Sequence, residues 1–407
     1  MPTDVRVPAA ARVFITRRPI FDREKRVFAY RLPAAPVDTA TPAAQTVVDG
    51  LQSGAFDALV GERPAFVAVD RDMLAGGFAA LLPKERVVLE LGTDIQGEAA
   101  AGACRALSTA GFTLAVSDFV RRPLNDPLLP LARYLSVDLP SACVPEFAAR
   151  VADARTGTAY ILLTAVETPA DVKDAITRGA TYISGDFLKQ PVTTAGKSVD
   201  AGALGRMRVL HALHNPMLSL TQIEDLIKTD TTIVFQVLRT VNSAAFAQRR
   251  TVESIQQALF LLGRDMIRRW ISVWTLSGIG REVHPELMTV SAARARCCEM
   301  LADVARGAAI GQEAFLLGLC STLDVVLGAP MEEIMQALPL PEASKAALLG
   351  ADNRQRWLIE CVAAYERGDW PRAVAEAARL GVRPSDLPSA YLAAVKWARE
   401  LQTSPQR

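Results

Sequence analysis

Residues 65–92 read AFVAVDRDMLAGGFAALLPKERVVLELG: a short β-rich run, a helical stretch and a second β-rich run. Both runs are continuously apolar rather than alternating, which marks strands covered on both faces, as in a parallel sheet. The unit continues in both directions. Downstream come FTLAVSDF (112–119), YLSVDL (134–139), AYILLTAV (159–166) and TYISGDF (181–187). Their centres recur roughly every 20–27 residues, the length of a βα unit. Upstream lie RVFIT (12–16) and VFAYRL (27–32), separated by the polar turn PIFDREK (19–25). That turn is too short for a helical crossover, so these two runs are expected to pair antiparallel. Eight runs, the last six in βα register, predict an α/β domain over residues 1–192, a modified (β/α) TIM-like barrel. The Pro- and Ala-rich stretch Ala34–Gly61 is short for a first crossover and leaves an open barrel as the alternative.

The whole chain has 407 residues, half of them apolar and 22% charged, which fits a globular protein of two or three domains with real cores. Its 45 basic and 44 acidic residues leave +1, which excludes the basic footprint of a dedicated nucleic-acid binder. His211, His214 and His284 are the only histidines, too few for a histidine-rich metal centre in either half. The six cysteines (Cys104, Cys143, Cys297, Cys298, Cys320 and Cys361) show no C-x-x-C spacing and read as reduced core thiols of a cytosolic protein. The N-terminal MPTDVRVPAAARVF lacks the apolar core of a signal peptide, and no apolar run reaches the ~20 residues of a membrane helix. A cytoplasmic protein without membrane contact is expected.

Thr193–Ala203 (TTAGKSVDAGA) is small and polar and reads as a linker. After it the strand-like runs stop, and 204–407 reads as all-α. Thr221 and Glu224 have capping-box spacing ahead of Ile223, Leu226 and Ile227. A helix with Ile233, Val234, Val237, Leu238 and Val241 on one face follows. Ser254 and Gln257 cap the next, and Gly263 is placed to end it. Asp265 then starts a stripe of Met266, Ile267, Trp270, Ile271 and Trp274, more in keeping with core than with a cofactor pocket.

The order RRPIFDREKRVFAYRL, FVAVD, VVLELG, AVSDF, YLSVDL, LLTAVET, YISGDFLKQP resembles the EAL domain of bacterial cyclic di-GMP phosphodiesterases over nearly all of residues 12–192. The resemblance implies a barrel whose strand-end carboxylates hold two divalent metals that activate water against a phosphodiester. Compared residue by residue, much of that set is gone. Arg31 stands where the Glu of the motif belongs, and Ala68 replaces an Asn. Glu90 matches a metal-binding Glu. Ser117 and Asp118 stand for a pair of aspartates, and Ser136 replaces the catalytic Lys two residues before Asp138. Thr164 replaces a metal-binding Glu upstream of Val166–Glu167–Thr168, and Ser184 a late Gln. Two metals need several converging carboxylates to offset their charge. Glu90, Asp118, Asp138 and Glu167 therefore read as remnants, solvated at the mouth or paired with Arg17, Arg18 or Arg31. No catalysis, cofactor or bound metal is expected. The alternatives are a cyclic di-GMP receptor without hydrolysis, against which the losses also weigh, and a divergent phosphodiesterase using Glu90, Asp118 and Asp138 with one metal.

LHALHNPMLSLTQIEDLIKTDTTIVFQVLRTVNSAAF followed by SIQQALFLLGRDMIRRWISVWTL resembles the HDOD domain, an all-α relative of HD phosphohydrolases, and the likeness runs from about Leu204 to Arg399. EAL followed by HDOD resembles the YuxH-like group of bacterial signalling proteins. The chain has no His–Asp dipeptide, so the metal set of HD enzymes is missing. His211 and His214, at i, i+3, make a poor two-ligand site, and His284 before Pro285 reads as solvated. Asn242 reads as a helix-end residue bonded to the next element. Arg264, Arg268 and Arg269 form a basic cluster that can contact phosphate or an acidic partner, or else lie on a solvated helix face. The expected function is that of a non-catalytic regulatory or scaffolding module related to cyclic di-GMP signalling, acting on unidentified signalling proteins. Self-association is implied by the EAL resemblance alone.

Overall fold

A computed structural model describes residues 13–37, 43–156 and 159–190. From 210 to 403 it describes all but 211, 214, 216, 229–232, 235–236, 239–240, 243–251, 253, 280–282, 306–307 and 339. His211, His214 and the linker 193–203 thus lie outside the described residues. The chain divides into two compact units. Unit 1 is Met1–Gln190 together with Tyr365–Trp370 and Pro384–Ser389, and unit 2 is the remainder. Two short stretches that the sequence places in the helical part therefore belong to unit 1.

Unit 1 is built on a closed eight-stranded barrel. Its strands are β2 (Arg18–Phe21), β3 (Val27–Arg31), β5 (Ala65–Val69), β6 (Val87–Leu91), β7 (Thr113–Ser117), β8 (Tyr134–Asp138), β9 (Tyr160–Thr164) and β10 (Tyr182–Ile183). β3 and β5 to β10 run parallel, while β2 is antiparallel to both its neighbours. The open-barrel alternative falls: Ile183 pairs with Phe21 and closes the ring. The crossover Ala34–Gly61 suffices because it holds helices Ala43–Gly50 and Phe56–Val60, joined by a wider turn at Leu51–Ala55.

One run is misassigned by the sequence. RVFIT supplies no barrel strand; β1 (Val13–Ile15) pairs antiparallel with β4 (Ala34–Pro36) in a separate two-stranded sheet. The antiparallel barrel strand is Arg18–Phe21, which overlaps the first three residues of the segment read as a turn. Its Ile20 and Phe21 are buried, and Phe21 meets Phe187 edge-on at 5.1 Å. The turn itself is shorter, closed by the Asp22 amide on the Arg26 carbonyl at 2.9 Å.

Inside the barrel, Ile20, Ala29, Phe66, Val88, Ala115, Tyr134 and Leu162 form one apolar layer. Side chains two residues apart on a strand share a face. The next inward layer is therefore Arg31, Ala68, Glu90, Ser117, Ser136 and Thr164, an almost wholly polar set on top of an apolar one.

Unit 2 is helical. Helix Leu220–Lys228 is capped reciprocally by Ser219 and Gln222, at 3.2 and 2.8 Å, rather than by Thr221 and Glu224. Glu224 instead pairs with Lys228 one turn on, at 2.7 Å. Ser254 Oγ accepts the Gln257 amide at 3.1 Å and opens Ile255–Ile279, which breaks at Gly263 (φ 75°, ψ 161°). Helices Pro285–Val304 and Ala308–Cys320 approach closely at Gly318, where a Cβ would lie 2.8 Å from the Ala295 Cα. Among the described residues no helix is long and apolar enough to cross a membrane.

Candidate functional site

The polar layer opens onto a depression of about 430 Å³ at the C-terminal ends of the parallel strands, where barrels of this type place their sites. Glu90 lines it, its side chain 6% exposed. Three donors converge on Glu90 Oε1: Arg31 Nη2 at 2.5 Å, Ser136 Oγ at 2.9 Å and Ser117 Oγ at 3.1 Å. Arg31 ends β3 and Glu90 lies in β6, with β5 between them. The side chain in the way is Ala68, directly paired with Glu90, and its small methyl leaves the path open. The two serines that the sequence marks only as losses are thus hydrogen-bond donors to the retained acid.

Asp118 and Asp138 line the same depression, so the structure brings three of the four acids together. Asp118 follows β7 in a left-handed conformation (φ 51°, ψ 44°). Its Oδ2 lies 3.6 Å from Arg121 Nε, while its Oδ1 is buried without a hydrogen-bond partner, as is Arg31 Nε. Asp138 ends β8 and is exposed. Glu167 stands apart from these lining residues. Burial and the nearby Asp186 push its carboxyl up, against the pull of Arg18 and Lys189.

Arg122, which sequence reading passed over, fixes the loops of the mouth. It is buried, pairs with Asp126 at 3.0 Å, and donates to the carbonyls of Ser117 (3.1 Å), Ile95 (3.0 Å) and Gly92 (2.6 Å). The signal available was an Arg–Asp pair at i, i+4 just past a strand end. Of the other arginines offered as partners, Arg17 lies over the Tyr30 ring and donates to the Leu59 carbonyl. Arg18 reaches the Arg367 carbonyl.

This donor set does not fit two divalent ions. A guanidinium and two hydroxyls already converge on Glu90 Oε1, and a fixed cation stands where a metal ligand would be needed. Among the described residues, no three His, Cys, Asp or Glu side chains converge to hold an ion.

In unit 2 the basic cluster is dispersed. Arg268 is buried beside Asp265 (3.2 Å), and burial holds its guanidinium below the usual range. Arg269 bonds both oxygens of Glu299 at 3.0 and 2.9 Å, and Arg264 donates to the Asn215 carbonyl. His284, half-buried ahead of the helix, also has a structural role: its Nδ1 accepts the Glu286 amide at 3.0 Å and caps Pro285–Val304. Cys143 departs from the other five cysteines in being exposed.

Residues 205–350 match the HDOD domain family, so the chain contains an HDOD domain. Two curated relatives align over nearly their full lengths. The uncharacterized protein YuxH of Bacillus subtilis is 27% identical over 96% of this chain and 99% of its own. The cyclic di-GMP phosphodiesterase CdgJ of Vibrio cholerae is 25% identical over 95% of this chain and 93% of its own. Among solved structures, the phosphodiesterase PaMucR in complex with c-di-GMP aligns at 15% identity and a TM-score of 0.37, over 44% of this chain and 96% of that one.

Proposed function

We propose that this chain, with its HDOD domain in residues 205–350, is a non-catalytic signal-transduction protein related to cyclic di-GMP signalling that acts by binding other proteins. The observation that carries the reading is the Arg31 guanidinium 2.5 Å from the Glu90 carboxylate. Two-metal hydrolysis depends on carboxylates free to bind cations. Here the most buried acid of the mouth is paired with a cation from within, and two serines donate to the same oxygen. The relation to cyclic di-GMP rests on the likeness to CdgJ, and the Arg31–Glu90 pair is the reason its named activity is not carried over.

A second reading, a cyclic di-GMP receptor without hydrolysis, is favoured by one observation. The depression has the volume of a small-molecule site and presents Arg31 Nε and Asp118 Oδ1 as buried atoms without partners.

The deciding experiment incubates the purified full-length protein with cyclic di-GMP and Mg²⁺ or Mn²⁺, with calorimetry in parallel. No turnover is expected. Metal-dependent turnover that Asp118→Ala abolishes would falsify the non-catalytic reading. Micromolar or tighter binding that weakens in Arg31→Met establishes the receptor instead. If the full-length protein also captures no signalling partner, the interaction reading is refuted.

A further inference from the structure

The β1–β4 sheet lies outside the barrel and has only two strands, an arrangement of marginal stability by itself. Its completion comes from the far end of the chain, with Ile15 and Tyr365 350 positions apart in sequence. The Tyr365 hydroxyl accepts the Ile15 amide at 3.2 Å, Thr16 Oγ1 donates to the Glu366 carbonyl at 3.1 Å, and Arg18 donates to the Arg367 carbonyl. Phe14 stacks on the Trp370 ring at 5.4 Å with 13° between planes, and meets Tyr365 edge-on at 6.0 Å. Tyr365 and Trp370 close the triangle at 5.1 Å. Gly368, at φ +71°, carries the backbone past Thr16 and Pro33, where an L side chain would be strained.

These are contacts of core quality. Phe14 is 4% exposed and Tyr365 2%. Buried backbone donors need acceptors, and the Ile15 amide finds its acceptor in Tyr365. The strand alone thus leaves a buried donor and a large aromatic face without partners.

We propose that Tyr365–Trp370 is an intramolecular strap that completes the barrel unit, so that the β1–β4 sheet is stable only in a chain that reaches residue 370. Unit 1 is then not an autonomous N-terminal domain. Release of the strap uncovers Phe14 and leaves the Ile15 amide without its acceptor, which gives unit 1 two states distinguished by this one set of contacts. The inference involves no metal or nucleotide and stands or falls separately from the proposed function.

Hydrogen exchange on full-length Trp370→Ala and Tyr365→Phe tests it. Exchange across 13–16 and 34–36 is expected to rise about tenfold or more in both, while β5 to β9 keep their protection. Unchanged exchange at those strands overturns the strap. Should Trp370→Ala loosen the whole unit, Tyr365→Phe decides, because it removes a single oxygen: a local rise supports the strap and its absence refutes it.

Discussion

Arg31 and Glu90 meet at 2.5 Å across an intervening strand, joining the end of β3 to β6 over the methyl group of Ala68. Breaking a buried pair by removing one partner leaves an uncompensated charge. Arg31 is a quarter exposed, which tempers the penalty. Arg31→Met is expected to cost roughly 2–4 kcal/mol, read from urea midpoints at neutral pH. Arg31→Glu places two carboxylates together and is expected to be worse in EDTA, with partial recovery on adding Mg²⁺ or Mn²⁺. The wild-type midpoint should ignore both additions.

Asn242 ties a helix end to the segment before the next helix. Its Nδ2 donates to the carbonyls of Leu238 and Val252, both at 2.8 Å, and its Oδ1 accepts the Val252 amide at 2.7 Å. Asn242→Ala forfeits all three bonds and should cost about 2–3 kcal/mol in a thermal or urea melt. Asn242→Asp, which sets a charge against two carbonyls, should be no milder. A loss below 0.5 kcal/mol in either variant would contradict this role.

Gly185 passes so close to β9's continuation that a Cβ would lie 2.0 Å from the Val166 carbonyl oxygen and 2.5 Å from its nitrogen. Both atoms are backbone and cannot swing aside. Gly185→Ala should therefore destabilise unit 1 by about 3 kcal/mol or reduce soluble expression, measured against wild type in parallel purifications.

The thiols should separate cleanly. Cys143 is exposed, whereas burial pushes Cys320 and Cys361 up to about 12 and raises Cys104 as well. Thiolates are the reactive form. A disulfide-exchange reagent at pH 8 should label one thiol in the native protein, lost in Cys143→Ser, and all six in denaturant.

Acid should weaken unit 1 partly through Asp186. Burial raises its carboxyl, but Lys189 at 2.8 Å, with Arg18 and Arg367, outweighs that and holds it below the ordinary value. A depressed folded value means the unfolded chain takes up the proton first. The contribution is therefore present above pH ~4 and lost as pH falls through the folded value. The stability gap between wild type and Asp186→Asn should be measurable at pH 6 and shrink steadily as pH is lowered below about 4.

Much of the candidate site was legible because a barrel strand has a fixed period. Once VVLEL and YLSVD are read as strands, the alternation places Glu90 above Val88 and Ser136 above Tyr134. The first strand was misread because RVFIT is the more apolar run, while RPIF carries a charged end and a proline. Proline is tolerated there because its partner Tyr30 turns its amide to the Pro64 carbonyl and β10 pairs with β2 only at Phe21, so no ladder bond from position 19 is lost. Thr221–Glu224 failed as a cap for a local reason: Ser219–Gln222, two residues earlier, offers the same chemistry.

The sequence by itself determined the βα repeat, the helical second half, and which side chains share the inner face at the mouth. Each depends only on neighbours along the chain and on the strand period. Only the tertiary structure decided that Arg31 settles on Glu90, that two serines donate to the same carboxylate oxygen, and that Phe14 is covered by Trp370. Those pairings join residues far apart in sequence, and their geometry is fixed by strand register and barrel closure, which no local pattern encodes.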